Sequence, residues 1–278
     1  MSLEEQAKNK AVNTEKKDED RKKHQWLKIG IPFVVLLSFV GWLTGWLRDQ
    51  AMDATTILSI SAPMQKQAET LYKRNTFGKK LVALTFDDGP FPATTNRLLD
   101  ILREKEVRAT FFELGTMASR YPDVTKRVYN EKHELASHTM SHRQLNKISA
   151  GEVAAEAGQA RDVLRNITGE DPMLMRPPYG AINRIVAGNV GAPMILWTVD
   201  TEDWRSKDAG SVLERARSAA FDGAIILMHD IYESTVDGAS MVIDALREDG
   251  YEFVTVSELA KMRGVELRNG EVYGSFKP

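Results

Sequence analysis

The sequence predicts an α/β domain with a parallel sheet, preceded by one apolar segment of membrane length. Three observations carry this. From Lys79 onwards, seven short apolar runs alternate with helical patterns. No long hairpins join the runs, so consecutive strands run parallel. Nearer the N-terminus, Ile29 to Leu47 is nineteen residues without a charge, about enough to cross a bilayer as a helix.

Residues 1–28 are polar, of mixed charge and without apolar periodicity, and read as a disordered cytoplasmic tail. Residues 29–47 read as a single-pass anchor. Trp26, Trp42 and Trp46 suit the interfacial aromatic belt, and Arg21, Lys22, Lys23 and Lys28 crowd the N-terminal flank. That asymmetry places the N-terminus in the cytoplasm and the rest of the chain outside, at the cell membrane. A cleaved signal peptide is the competing reading, but its apolar region is usually shorter, and no small-x-small site follows closely. Residues 48–78 read as a stalk leading to a helix around Pro63–Arg74.

The strand-like runs are Leu81–Phe86, Ala109–Leu114, Glu134–His138, Met173–Arg176, Pro193–Val199, Ala224–His229 and Phe253–Val256. Between the first two, Thr94–Lys105 places Leu98, Leu99, Ile101 and Leu102 on one helical side. Ser149 followed by Glu152 forms a capping box, opening a helix that turns Val153, Ala157, Ala160, Val163 and Leu164 inward. Closure into a barrel and an open doubly wound sheet both fit this pattern. Residues 79–264 form the domain, and residues 265–278 read as a C-terminal tail.

Net charge is −2 over 278 residues, which supplies no basic field for nucleic acid. There is no cysteine, so disulfides and thiolate metal sites are excluded. A metal would need His, Asp or Glu, and the chain has five histidines: His24, His133, His138, His142 and His229.

In parallel α/β barrels, reactive side chains gather where strands end. The first strand delivers Asp87 and Asp88 side by side, then the turn pair Gly89-Pro90. Adjacent carboxylates raise each other's pKa unless a cation or a donor holds them, although Asp-Gly also serves plain turn chemistry. The third strand delivers His138 and His142, whose i, i+4 spacing puts two imidazoles within reach of one ion. With Asp88 they make three ligands and leave a fourth position open, the arrangement of a catalytic zinc-type site. His133 lies at the other end of that strand and reads as structural. The fourth strand delivers Arg176 beside Pro177-Pro178, placed to pair with a carboxylate and keep it ionised. The fifth delivers Asp200 to Trp204, and the sixth Leu227 to Asp230.

T-F-D-D-G-P, H-x3-H, R-P-P-Y, D-x-x-D-W and L-x-H-D, in this order, closely resemble the polysaccharide deacetylases of carbohydrate esterase family 4, the NodB-homology domains. The resemblance covers roughly Lys79–Gly264. It implies a distorted (β/α) barrel with about seven parallel strands. It also implies that Asp88, His138 and His142 hold a divalent metal, zinc or a neighbour such as cobalt. Asp87, steered by Arg176, would be the general base. His229, tuned by Asp203, would be the general acid. The backbone N–H of Tyr179 would face the oxyanion, and Trp204 and Leu227 would wall an acetyl-sized pocket. The implied reaction removes N-acetyl groups from an acetylated glycan, with N-acetylglucosamine of cell-wall peptidoglycan the best fit to an anchored enzyme. Two other outcomes stay open: a wall-binding module without catalysis, and hydrolysis of O-acetyl esters or another glycan such as a chitin oligomer or xylan. Arg143 and Lys132 depart from the family, which often has Pro and Gly there.

Overall fold

The computed structural model describes residues 78–278, which belong to the second of two units, Thr76–Pro278. The expected cytoplasmic tail, anchor and stalk lie outside the described residues. Among the described residues, no helix is long and apolar enough to cross a membrane.

Strand β1 (Lys80–Asp87) is the centre of the sheet. Every residue after Lys80 is buried, as a continuous apolar run requires of a parallel strand covered on both faces. Along Val82–Asp87 it pairs with β6 (Ala224–His229). Its other edge is shared: β7 (Tyr251–Phe253) takes the first half, and β2 (Thr110–Glu113) takes the second. Strand β3 (Glu134–Ser137) pairs with β2, and β5 (Val199–Asp200) with β6, all parallel. The remaining pairings bend this sheet into a ring. Ser137 of β3 bridges Met175, Met175 bridges Met194, and β4 (Met194–Ile195) pairs with β8 (Val272–Tyr273). Ser275, just beyond β8, then bridges antiparallel to Ala224 at the foot of β6.

Alternation along β1 divides two environments. Val82, Leu84 and Phe86 join the main apolar core with Leu98, Leu99 and Leu102 of α1 (Pro92–Glu104) and Val242, Ile243 and Leu246 of α8 (Glu233–Glu248). Thr85 and Asp87 face the other way and both meet Arg176. In chain order between these helices come α2 (Gly115–Arg120), α3 (Pro122–Asn130), α4 (Ala150–Thr168), α5 (Arg184–Asn189), α6 (Asp203–Ser206) and α7 (Ala209–Ala219). The Ser149–Glu152 capping box forms with both of its bonds, and α4 ends on the left-handed Gly169. Its buried face includes Glu156, while Val163 is only half-buried.

Four expectations are corrected. The run 173–176 reduces to the bridging residue Met175, because Pro172 precedes it and Pro177-Pro178 follow, none with an N–H for a ladder. The run 193–199 is two strands. At Leu196 the chain still donates to Tyr273 of β8, but by Thr198 it donates to Ile225 of β6. The strand expected at 253–256 ends at Phe253, since Thr255 caps α9 (Val256–Met262) in a second capping box with Glu258. Residues 265–278 are part of the domain: β8 lies in them, and Phe276 is buried.

Candidate active site

A cavity of about 440 Å³ opens at the C-terminal ends of the strands, and eight residues singled out from the sequence line it: Asp87, Asp88, His138, His142, Tyr179, Trp204, Leu227 and His229. Arg176 and Asp203 lie fully buried beneath it. His133 sits apart as expected. Its Nδ1 accepts the Ala109 amide at 3.2 Å, and burial, helped by the charges of Arg108 and Arg127, pulls its pKa down to about 4. The loops around the cavity are conformationally costly. Asp88, Thr139, His142, Tyr179 and Glu202 all have positive φ without being glycine, and such strain gathers at functional sites.

Arg176 organises one side. Its backbone N–H donates to Ser137 at 2.8 Å, and its carbonyl accepts from His138 Nδ1 at 2.7 Å. A carbonyl can only accept, so Nδ1 carries the proton and the neutral ring presents a bare Nε2. Burial, with the charges of His142 and Arg176, pulls the His138 pKa down to about 3 against the opposing pull of Asp88. The Arg176 guanidinium donates to Asp87 Oδ1 at 2.6 Å and to Thr85 at 2.9 Å. It also takes the carbonyls of Ile195 and Leu196, the acceptors exposed where β4 breaks from β5. Its flat face lies 4.1 Å from the Phe112 ring centre. Burial pushes the Asp87 carboxyl above the usual carboxylate range, opposed by the charge and hydrogen bond of Arg176 and the charge of His229.

Asp203 organises the other side. Its Oδ2 accepts the His229 amide at 2.7 Å and the Thr235 hydroxyl at 2.8 Å. Its Oδ1 accepts His229 Nδ1 at 2.8 Å and the Trp204 amide at 2.9 Å. Burial opposes the charged imidazole, but Asp203, with the charges of Asp87 and Asp88, overcomes it and pushes His229 up to about 9. At neutral pH this is a protonated imidazole.

Between these pairs, Asp88 Oδ1 is buried and has no hydrogen-bond partner. It lies 3.5 Å from His138 Nε2 and 3.4 Å from His142 Nε2. Two ligand atoms about 2.1 Å from a tetrahedral zinc stand about 3.4 Å apart. The three residues form, among the described residues, the group able to hold a metal. They fit the ion the sequence implies.

Asp200, noted in the fifth strand-end cluster without a role of its own, also lines the cavity. Sequence reasoning missed Trp197, another lining residue, because it fell in the run read as one unbroken strand. Thr235, on α8, is distant in sequence and carried no signal.

The profile of the family described as polysaccharide deacetylase matches residues 74–193. A peptidoglycan-N-acetylglucosamine deacetylase of Bacillus cereus is 34% identical over 261 residues, covering 84% of this chain and 93% of that protein. The chain belongs to the polysaccharide deacetylase family. A peptidoglycan-N-acetylglucosamine deacetylase of Listeria monocytogenes is 41% identical over 215 residues, 77% of this chain, of whose length this chain spans only 44%. Among solved structures, a family 4 acetyl xylan esterase from Clostridium thermocellum, in complex with a cobalt ion, is 30% identical. It superposes at a TM-score of 0.68 over 70% of this chain and 98% of that one. In this member of the family, Asp87, Asp88, His138, His142, Tyr179, Trp204 and His229 of the five motifs line a single cavity, with Arg176 and Asp203 paired beneath it.

Proposed function

We propose that this polysaccharide deacetylase is a metal-dependent N-deacetylase of an extracytoplasmic glycan, best matched by N-acetylglucosamine in peptidoglycan. One observation carries the reading: two charge-paired couples, Arg176–Asp87 and Asp203–His229, flank the Asp88–His138–His142 group in one cavity. A carboxylate held by an arginine can take a proton, and an imidazole held charged by a buried carboxylate can give one, which assigns the base and the acid. The names of the Bacillus and Listeria relatives support the glycan. Zinc is the proposed metal, and cobalt an alternative consistent with the Clostridium structure.

When bound, the metal supplies Lewis acidity at the acetyl carbonyl and acidifies water. Asp87 accepts the proton of the attacking water, and its burial makes it a stronger base than a solvated carboxylate. Arg176 keeps that carboxyl in one orientation. The backbone N–H of Tyr179 faces the developing oxyanion. His229, charged at neutral pH, gives its Nε2 proton to the departing amine. Trp204 and Leu227 wall the acetyl methyl. Residues 29–47 hold the chain in the cell membrane, with the domain outside and residues 1–28 within.

The Clostridium esterase favours one second reading, hydrolysis of an O-acetyl ester. Acetate release by the full-length protein from peptidoglycan, chitin oligomers and acetylated xylan separates the two. Release from the amide glycans with little from xylan is expected. Release from xylan alone would establish the ester reading.

A further inference from the structure

The residues linking the two histidines adopt a turn that the backbone disfavours. Thr139 has φ 72° and His142 φ 61°, conformations that side chains larger than glycine rarely adopt. Contacts fix this turn from outside. The leading amides of α2, Gly115 and Thr116, donate to the carbonyls of Thr139 and Met140 at 3.0 and 2.9 Å. The Met140 amide donates to the Glu156 carbonyl at 2.9 Å. The Glu156 side chain then takes Ser141 twice: Oε2 accepts the Ser141 amide at 2.8 Å, and Oε1 accepts its hydroxyl at 2.6 Å. Glu156 is 8% exposed on the inner face of α4, where helical periodicity calls for an apolar residue. A buried carboxylate needs partners, and both of its oxygens end on the residue next to His142.

We propose that Glu156 is a positioning residue: through Ser141 it holds the left-handed turn that brings His138 and His142 together before a metal arrives. The inference rests on the metal reading of Asp88, His138 and His142. Hydrogen bonds that orient ligands from behind set metal affinity, and their loss typically weakens binding ten- to a hundredfold. Hydrogen-bond geometry, rather than charge, does the holding. Glutamine can reproduce both bonds, its amide oxygen accepting the Ser141 N–H and its NH2 donating to the Ser141 hydroxyl.

The test uses the full-length protein stripped of metal, with zinc alone as the probe and no glycan present. Zinc affinity and the exchange rate of the Ser141 amide are measured for the native protein, Glu156→Ala, Glu156→Gln and Ser141→Ala. Glu156→Ala is expected to weaken zinc about ten- to a hundredfold and to speed Ser141 exchange at least about tenfold. Glu156→Gln should stay within about threefold of native on both, and Ser141→Ala should fall between. Native zinc affinity in Glu156→Ala, whatever its Tm, would reduce Glu156 to a helix-packing residue and overturn the proposal. So would a glutamine variant as weak as alanine. Should Glu156→Ala not fold, native affinity in Ser141→Ala overturns it equally. A native protein that binds no zinc would sink the metal reading itself. That failure is distinguishable, because Ser141 exchange still separates the alanine and glutamine variants.

Discussion

Replacing Asp203 by asparagine tests whether the acid of this site is tuned by the bonds beneath it. Asp203 accepts the His229 amide and Nδ1 at 2.7 and 2.8 Å from a fully buried position. Against the cost of burial, Asp203 holds His229 up at about 9, well above the ordinary imidazole value of about 6.5. That difference corresponds to about 3 kcal/mol favouring the charged ring. Asparagine fills the same space and can still accept from Nδ1, but it brings no charge, and burial then disfavours the imidazolium. With its pKa at or below about 6.5, less than about a quarter of His229 would be protonated at pH 7. The alkaline limb of kcat/KM should move from near pH 9 to about pH 6.5 or lower, with a loss of at least about 30-fold at pH 8. Acetate release from chitin oligomers between pH 5 and 10 reads the limb, and NMR titration of the His229 ring reads the pKa directly. An alkaline limb that stays put in the variant, with His229 still titrating near 9, would refute the reasoning.

Three further outcomes follow from the surroundings of the cavity. Glu113 is buried with one unpartnered oxygen, and burial, opposed by Thr125 and helped by Asp230, pushes it from 4.5 up to about 8. The folded state therefore keeps this proton longer than the unfolded chain, and stability falls as pH rises from about 4.5 to 8, by up to about 5 kcal/mol; Glu113→Gln should flatten that slope in denaturant titrations. A Cβ on Gly89 would stand 2.5 Å from both oxygens of the buried Asp230, so Gly89→Ala should lower stability by about 1–3 kcal/mol and weaken zinc by displacing neighbouring Asp88. Arg176→Met leaves Asp87 buried without its cation, an expected loss of about 3–5 kcal/mol by thermal unfolding, and Arg176→Lys should rescue little, since one ammonium cannot reproduce the planar fork.

The site was more legible in the sequence than the fold. Each cluster ends a strand, so its residues meet wherever parallel strands share a C-terminal face; Asp87, His138 and His229 converge without knowledge of the ring's closure. The strands β1 and β6 were legible because burial on both faces leaves an unbroken apolar run. The closing wall was not. Met175 pairs as a single residue between prolines, β4 and β5 share one apolar run, and β8 is two residues long. Their pairing is set by tertiary partners rather than by local pattern. Arg176 could be read as a carboxylate partner, but not its hold on the Ile195 and Leu196 carbonyls, which exists only because the chain breaks there. Glu156 gave no signal at all, since a glutamate on a helix usually faces solvent.

Acetate release from purified peptidoglycan by the full-length protein, after metal removal and after zinc return, beside Asp87→Asn, tests the central claim most directly. Release should stop on chelation and recover with zinc. Asp87→Asn should still bind zinc while losing at least about 10²-fold in rate. Release that survives chelation, or an asparagine variant that works at the native rate, would contradict the assignment of Asp87 as base beside a metal held by Asp88, His138 and His142.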